Sequence, residues 1–186
     1  MPTLGAESLE ATLDLLGRFK GAPLEILRRE SSIVVTPTLP DTFPITLYDH
    51  GDDAMIAAQR WHTHYDEPEQ AAWGVLWLLT PYYRLVHELK GGVLVAGWLE
   101  RYEETGWEPF DPVYFLPPDS PQTWVASPGE TFARRYHQQG VLPSPLPYTE
   151  FCPGAKLDQD GFPPDFCHGV SIVEVNEPMG PKLAES

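Results

Sequence analysis

Fourteen of the 21 prolines lie at or beyond Pro109. Each proline removes a backbone donor and interrupts helices and strand ladders. Regular structure is therefore expected mainly before that point, with the C-terminal part largely irregular chain wrapped on a regular core. No repeat or low-complexity tract is present, and 186 residues suit one domain. The chain reads as a single domain over residues 1–186. Within it, 1–40 form an N-terminal helical segment, 41–116 an α+β core, and 117–186 a proline-rich wrapping segment with one helix.

Apolar periodicity supplies the elements. Leu9, Leu13 and Leu16 recur at helical spacing, and Gly21 ends that helix. Pro23 suits the first position of a short second helix over Leu24 to Arg29. Ile33-Val34-Val35 and Ile45 to Tyr48 read as strands. Ala54 to Tyr65 fits a helix or a strand: a helix would gather Ile56, Arg60 and Thr63 on a poor stripe, whereas a strand sets Met55, Ala57, Trp61 and Tyr65 on one face and Arg60, His62 and His64 on the other, and the strand is the better fit. It forms a hairpin with Ile45 to Tyr48 across His50-Gly51-Asp52-Asp53. Asp66 and Glu69 have capping-box spacing ahead of Ala71 to Leu79, which is apolar almost all round and so reads as a buried helix.

After Pro81 the period switches to two. Strands are expected over Tyr83 to Lys90, over Val93 to Tyr102 after a Gly91-Gly92 turn, and through Val113 to Phe115 after a turn at Glu104-Thr105-Gly106. Ser127 to Glu130 form another capping box, and Phe132 and Tyr136, four apart, predict a helix closed by Gly140. Ser171 to Val175 is a last strand. The expected class is α+β: an antiparallel sheet, hairpin plus meander, packed on a buried central helix, with an N-terminal helix and a proline-rich, largely irregular C-terminal segment.

Charge limits the partners. The formal net charge is −15, from 27 acidic and 12 basic side chains. The first forty residues are nearly balanced, with four basic and five acidic groups, whereas residues 41–80 hold one and seven. The excess is thus spread through the body rather than gathered in a tail. Such a surface repels phosphate backbones and anionic lipid, so neither nucleic acid nor membrane is expected as a partner. Its ordinary role is solubility; its sharper one is attraction of a basic partner protein or mimicry of nucleic-acid charge. The start has no basic region leading into an apolar run. The uncharged stretch Gln70 to Tyr83 is shorter than the roughly 20 residues that a membrane helix needs. A soluble, cytoplasmic protein is expected.

Four constellations could carry function. On a strand, His62 and His64 point the same way and could share a metal, with Asp66, Asp49, His50 or Asp52 adding a ligand. An open two-histidine, one-carboxylate site of this kind suits metal-assisted chemistry, and His62, His64 and Asp66 are its first candidates. The same pair also suits plain exposed histidines on a strand. Cys152 and Cys167 bracket a turn-rich loop that a disulfide would hold, although a cytoplasmic setting favours thiols. Asp158, Asp160 and Asp165 carry part of a calcium-loop pattern without its closing glutamate. Glu100, Glu103, Glu104 and Glu108, with Trp98 and Trp107 beside them, could form a surface for a basic partner. They could equally be a charged sheet edge with two core tryptophans.

Phosphate-loop, dinucleotide and nucleophile-elbow motifs are absent from the sequence, so no cofactor is expected. Three function classes fit what remains. The first is a non-enzymatic acidic binding or accessory protein, immunity-like or regulatory, that engages a basic partner. The second is a small metal-dependent enzyme using His62 and His64. The third is a structural subunit of a larger assembly. The residues do not encode the oligomeric state.

Overall fold

A computed structural model describes residues 2–110, 114–115, 132–142, 157–159, 162–166 and 168–175. The fold is α+β, with two helices and two antiparallel sheets among the described residues. The chain divides into two compact units, Met1–Pro81 with Gln139–Pro145, and Tyr82–Gln138 with Leu146–Ser186. The hairpin and the meander belong to different sheets, one in each unit. Among the described residues no helix is long and apolar enough to cross a membrane.

The first unit opens with α1 (Leu4–Leu16), where the Thr3 side chain caps the helix by accepting the Ala6 amide. A five-stranded sheet follows in sequence order: β1 (Leu24–Arg28), β2 (Ser32–Pro37), β3 (Ile45–Asp49), β4 (Ala54–Ala58) and β5 (Trp61–Tyr65). Helix α2 (Pro68–Leu79) packs on α1 and on β3, β4 and β5. Its Gly74 lies close to the sheet: a Cβ there would stand 2.7 Å from Ile56 Cδ1 and 2.8 Å from the Tyr65 hydroxyl.

The expected helix over Leu24 to Arg29 is instead strand β1. So short a helix closes almost no internal hydrogen bonds, whereas the same residues pair with β2 from Leu24 opposite Pro37 to Arg28 opposite Ile33. The single strand expected over Ala54 to Tyr65 is two strands. Gln59 and Arg60 take φ of 48° and 68°, and Ala58 pairs with Trp61. Positive φ at both central residues is the requirement of a type I′ hairpin turn. The turn changes the faces: Ala54, Ile56, Ala58, Trp61 and Thr63 are buried together, while Met55, Ala57, His62 and His64 share the opposite side. The capping box at α2 also differs, because Glu67 is the N-cap, makes no side-chain capping bond, and is followed by Pro68 at the first helical position.

Two non-glycine residues at positive φ are costly, since only glycine and, less readily, asparagine or aspartate adopt it without strain. Replacing Gln59-Arg60 by Asn-Gly is expected to stabilise the first unit by about 1 kcal/mol. Urea unfolding should show a raised midpoint; an unchanged or lowered midpoint would refute the turn.

The described residues of the second unit form a six-stranded sheet. β6 (Tyr83–Lys90) and β7 (Val93–Glu103) form its long central hairpin around Gly91 and Gly92, which take φ of 55° and 82°. β8 (Gly106–Pro109) and β9 (Tyr114–Phe115) both pair with β7. On the other side β6 pairs with β10 (Phe132–Gln138), and β10 with β11 (Gly169–Val175). The helix expected around Phe132 and Tyr136 is therefore a strand. A spacing of four fits a period of two as well as 3.6, and β10 gains ladders on both edges. The capping-box residues Ser127 to Glu130, and Val113, lie outside the described residues.

Candidate functional site

Two clusters of chemistry-bearing side chains stand out, one in each unit. In the first unit, β3 runs into the turn at His50–Asp53 and β4 leads back from it. Pairing of β5 with β4 sets His64 opposite Met55, near that turn. His64 Nδ1 lies 2.7 Å from Asp53 Oδ2, and His50 Nδ1 lies 3.6 Å from Asp53 Oδ1. The His50 and His64 ring centroids are 5.6 Å apart, and those of His62 and His64 are 5.8 Å apart.

The turn is held from below. Asp49 Oδ1 accepts the Gly51 amide at 2.8 Å, and both Asp49 oxygens accept the Thr3 hydroxyl, at 3.1 and 3.0 Å. Gly5 donates its amide to the Gly51 carbonyl at 3.3 Å. Gly5 has no room for a side chain, since a Cβ would stand 2.7 Å from the Asp49 backbone.

The histidine pair read from the sequence does lie on one face of one strand, but a different group converges. His50, Asp53 and His64 each bring a donor atom within 4.8 Å of the others, and His62 and Asp66 are not part of that set. Asp53 carries no periodic signal in the sequence because it sits in turn material. The sign that could have found it is its place three residues after His50, across the turn.

In the second unit, one face of the sheet carries an ordered set of ion pairs and aromatic rings. Glu100 is buried: its Oε1 accepts the Trp98 indole N–H at 2.9 Å and its Oε2 accepts Arg84 Nε at 2.7 Å. The Arg84 guanidinium lies 4.1 Å from the ring centroids of both Trp107 and Tyr136. Trp107 donates to Asp165, which also stands 3.7 Å from Arg84. Next along β6, Arg134 donates to the buried Glu88 at 3.2 Å. Burial lifts the Glu88 carboxyl above the usual range in spite of that arginine.

These positions revise the expected partner surface. Trp98 and Glu100 are interior, because alternation along β7 turns them toward Val86 and Arg84. Trp107 is half-buried against Tyr102 and Arg84, and Glu103 pairs with Arg101. Glu104 and Glu108 remain exposed, with Glu108 accepting the Thr105 hydroxyl at 3.2 Å. Arg84 joins the cluster through the β6–β7 register, which sets it opposite Glu100, whereas Tyr136 and Asp165 carry no local signal, since only the β6–β10 pairing and the Trp107 contact bring them there. Cys152, Cys167 and Asp160 lie outside the described residues. Asp158 accepts the Phe162 amide at 2.9 Å.

Comparison with protein-family models, curated proteins and solved structures yields no match. The functional reading therefore rests on the residues themselves.

Proposed function

We propose that this chain is a non-enzymatic, acidic accessory protein of the cytoplasm, immunity-like or regulatory, that engages a basic partner protein through the β7–β8 hairpin. One observation carries the reading. The acids at the hairpin turn, Glu104 and Glu108, face solvent, while the neighbouring arginines Arg84 and Arg101 are held in ion pairs with Glu100 and Glu103. Cations committed to their own carboxylates leave the field of the exposed acids uncompensated in a chain of net charge −15. Trp107, half-buried and fixed by Asp165 and Arg84, supplies a rigid aromatic edge beside them.

Capture on the tagged chain from the source cell, with the bound proteins identified, tests this reading. A basic partner should be retained at low salt and lost progressively as salt rises, because attraction between exposed charges is screened. The variant Glu104→Lys with Glu108→Lys should weaken that capture by about tenfold or more. A partner held equally by the variant, or no partner at low salt, rejects the proposal.

A further inference from the structure

We propose that His50, Asp53 and His64 form a zinc-binding site on the first unit. The donor set is two imidazoles and one carboxylate, a combination that suits zinc and other borderline divalent metals. The Asp53 carboxylate turns one oxygen to each histidine, at 2.7 Å from His64 Nδ1 and 3.6 Å from His50 Nδ1. Zinc at about 2.0–2.2 Å from each ligand in tetrahedral geometry holds its donors roughly 3.3 Å apart. The three donor atoms already lie within 4.8 Å of one another. Closing on an ion therefore asks for side-chain rotations on the order of an ångström. His50 and His64 are exposed and Asp53 is half-exposed, so such rotations meet little packing.

The backbone beneath them is anchored twice. Asp49 ties the turn to Thr3 and Gly51, and Gly5 ties Gly51 to the start of α1. His50 also donates its amide to the Asp53 carbonyl at 3.1 Å. Two ligands thus come from a braced turn and the third from a paired strand. Asp49 is committed to that bracing and is not a ligand. Among the described residues no other trio of histidine, cysteine or carboxylate donors converges in this way. Three protein ligands leave a fourth tetrahedral position for water.

The same contacts would also serve a hydrogen-bonded His–Asp–His cluster with no metal, and titration separates the two. Zinc is added to the full-length chain and followed by calorimetry, with cobalt as a spectroscopic substitute. The expected result is one ion per chain and the visible absorption of tetrahedral cobalt. His50→Ala, Asp53→Asn and His64→Ala should each weaken binding by at least tenfold, while each variant keeps the circular dichroism of the parent. His62→Ala should leave affinity unchanged. Absence of stoichiometric zinc binding in the parent overturns the site. So does a pattern in which His62→Ala abolishes binding and His50→Ala does not. Should a variant lose its fold, the parent's cobalt spectrum decides: tetrahedral absorption with imidazole coordination upholds the site, and its absence rejects it.

Discussion

Glu100→Ala is expected to cost about 3–5 kcal/mol of stability, measured by urea unfolding. Glu100 is 6% exposed and both its carboxylate oxygens are used, one by the Trp98 indole and one by Arg84. Its removal leaves an arginine charge among the rings of Trp107 and Tyr136 and an indole N–H without its acceptor. Asp165, 3.7 Å from Arg84 and on an exposed side chain, compensates only in part. Most of the cost comes from stranding a charge, since a buried ion pair adds little over a well-packed apolar pair. Combining Glu100→Leu with Arg84→Met should therefore cost less than Glu100→Ala alone. Glu108→Ala, on the exposed side of the same hairpin, should stay within about 0.5 kcal/mol of the parent. Equal effects at Glu100 and Glu108 would contradict the buried placement.

Acid should also weaken the second unit, through His137. Burial, then the neighbouring His87 and Arg135, lower its pKa to about 4 from 6.5. The rings of His137 and His87 are 4.6 Å apart, with nitrogens 3.1 Å apart. Below pH 6.5 the unfolded chain takes up a proton at this histidine that the folded chain refuses. Stability is therefore complete above 6.5 and falls as pH drops to about 4, at about 1.4 kcal/mol per unit, or on the order of 3 kcal/mol in all. Glu88 works in the opposite sense. Its raised pKa lets the folded carboxyl bind a proton before the unfolded one does, so acid relieves a cost at that site. His137→Gln isolates the histidine: unfolding midpoints measured across this range should lose most of their dependence on pH. A variant with the parent's full slope would show that the titration lies elsewhere.

Much of the fold was legible where a single period ran unopposed. Leu9, Leu13 and Leu16 marked α1, and the all-round apolar run from Ala71 marked α2 as buried. The alternation after Pro81, broken by Gly91-Gly92, marked β6 and β7. Sequence and structure differ where the local signal is degenerate. Leu24 to Arg28 carries a helix-start proline but takes its stability from pairing with β2, which no local pattern encodes. Phe132 and Tyr136 have a spacing common to both periods. Gln59-Arg60 makes a hairpin turn without glycine or asparagine, so nothing in the sequence announced the reversal that sorts the β4 and β5 side chains into faces.

The candidate sites follow the same logic. His62 and His64 were found because neighbours in a strand can be paired by parity. Asp53 and His50 join His64 only through the β3–β4–β5 register, a tertiary fact. The tryptophans and acids around β7 stand together in the sequence, but which of them face water depends on the Arg84 contacts. The acidity itself needed no structure to be counted. What the fold adds is where nearby positive charge goes: to buried Glu100 at Arg84, and at Arg101, which lies opposite Glu108 in the register, into an ion pair with Glu103.

The most direct test of that account is the affinity of the captured partner as a function of ionic strength, for the parent and for Glu104→Lys with Glu108→Lys. The expected result is a basic partner, an affinity that falls steadily with salt, and a shallower salt dependence with weaker binding in the variant. A salt-independent affinity, or identical curves for the two proteins, would contradict it.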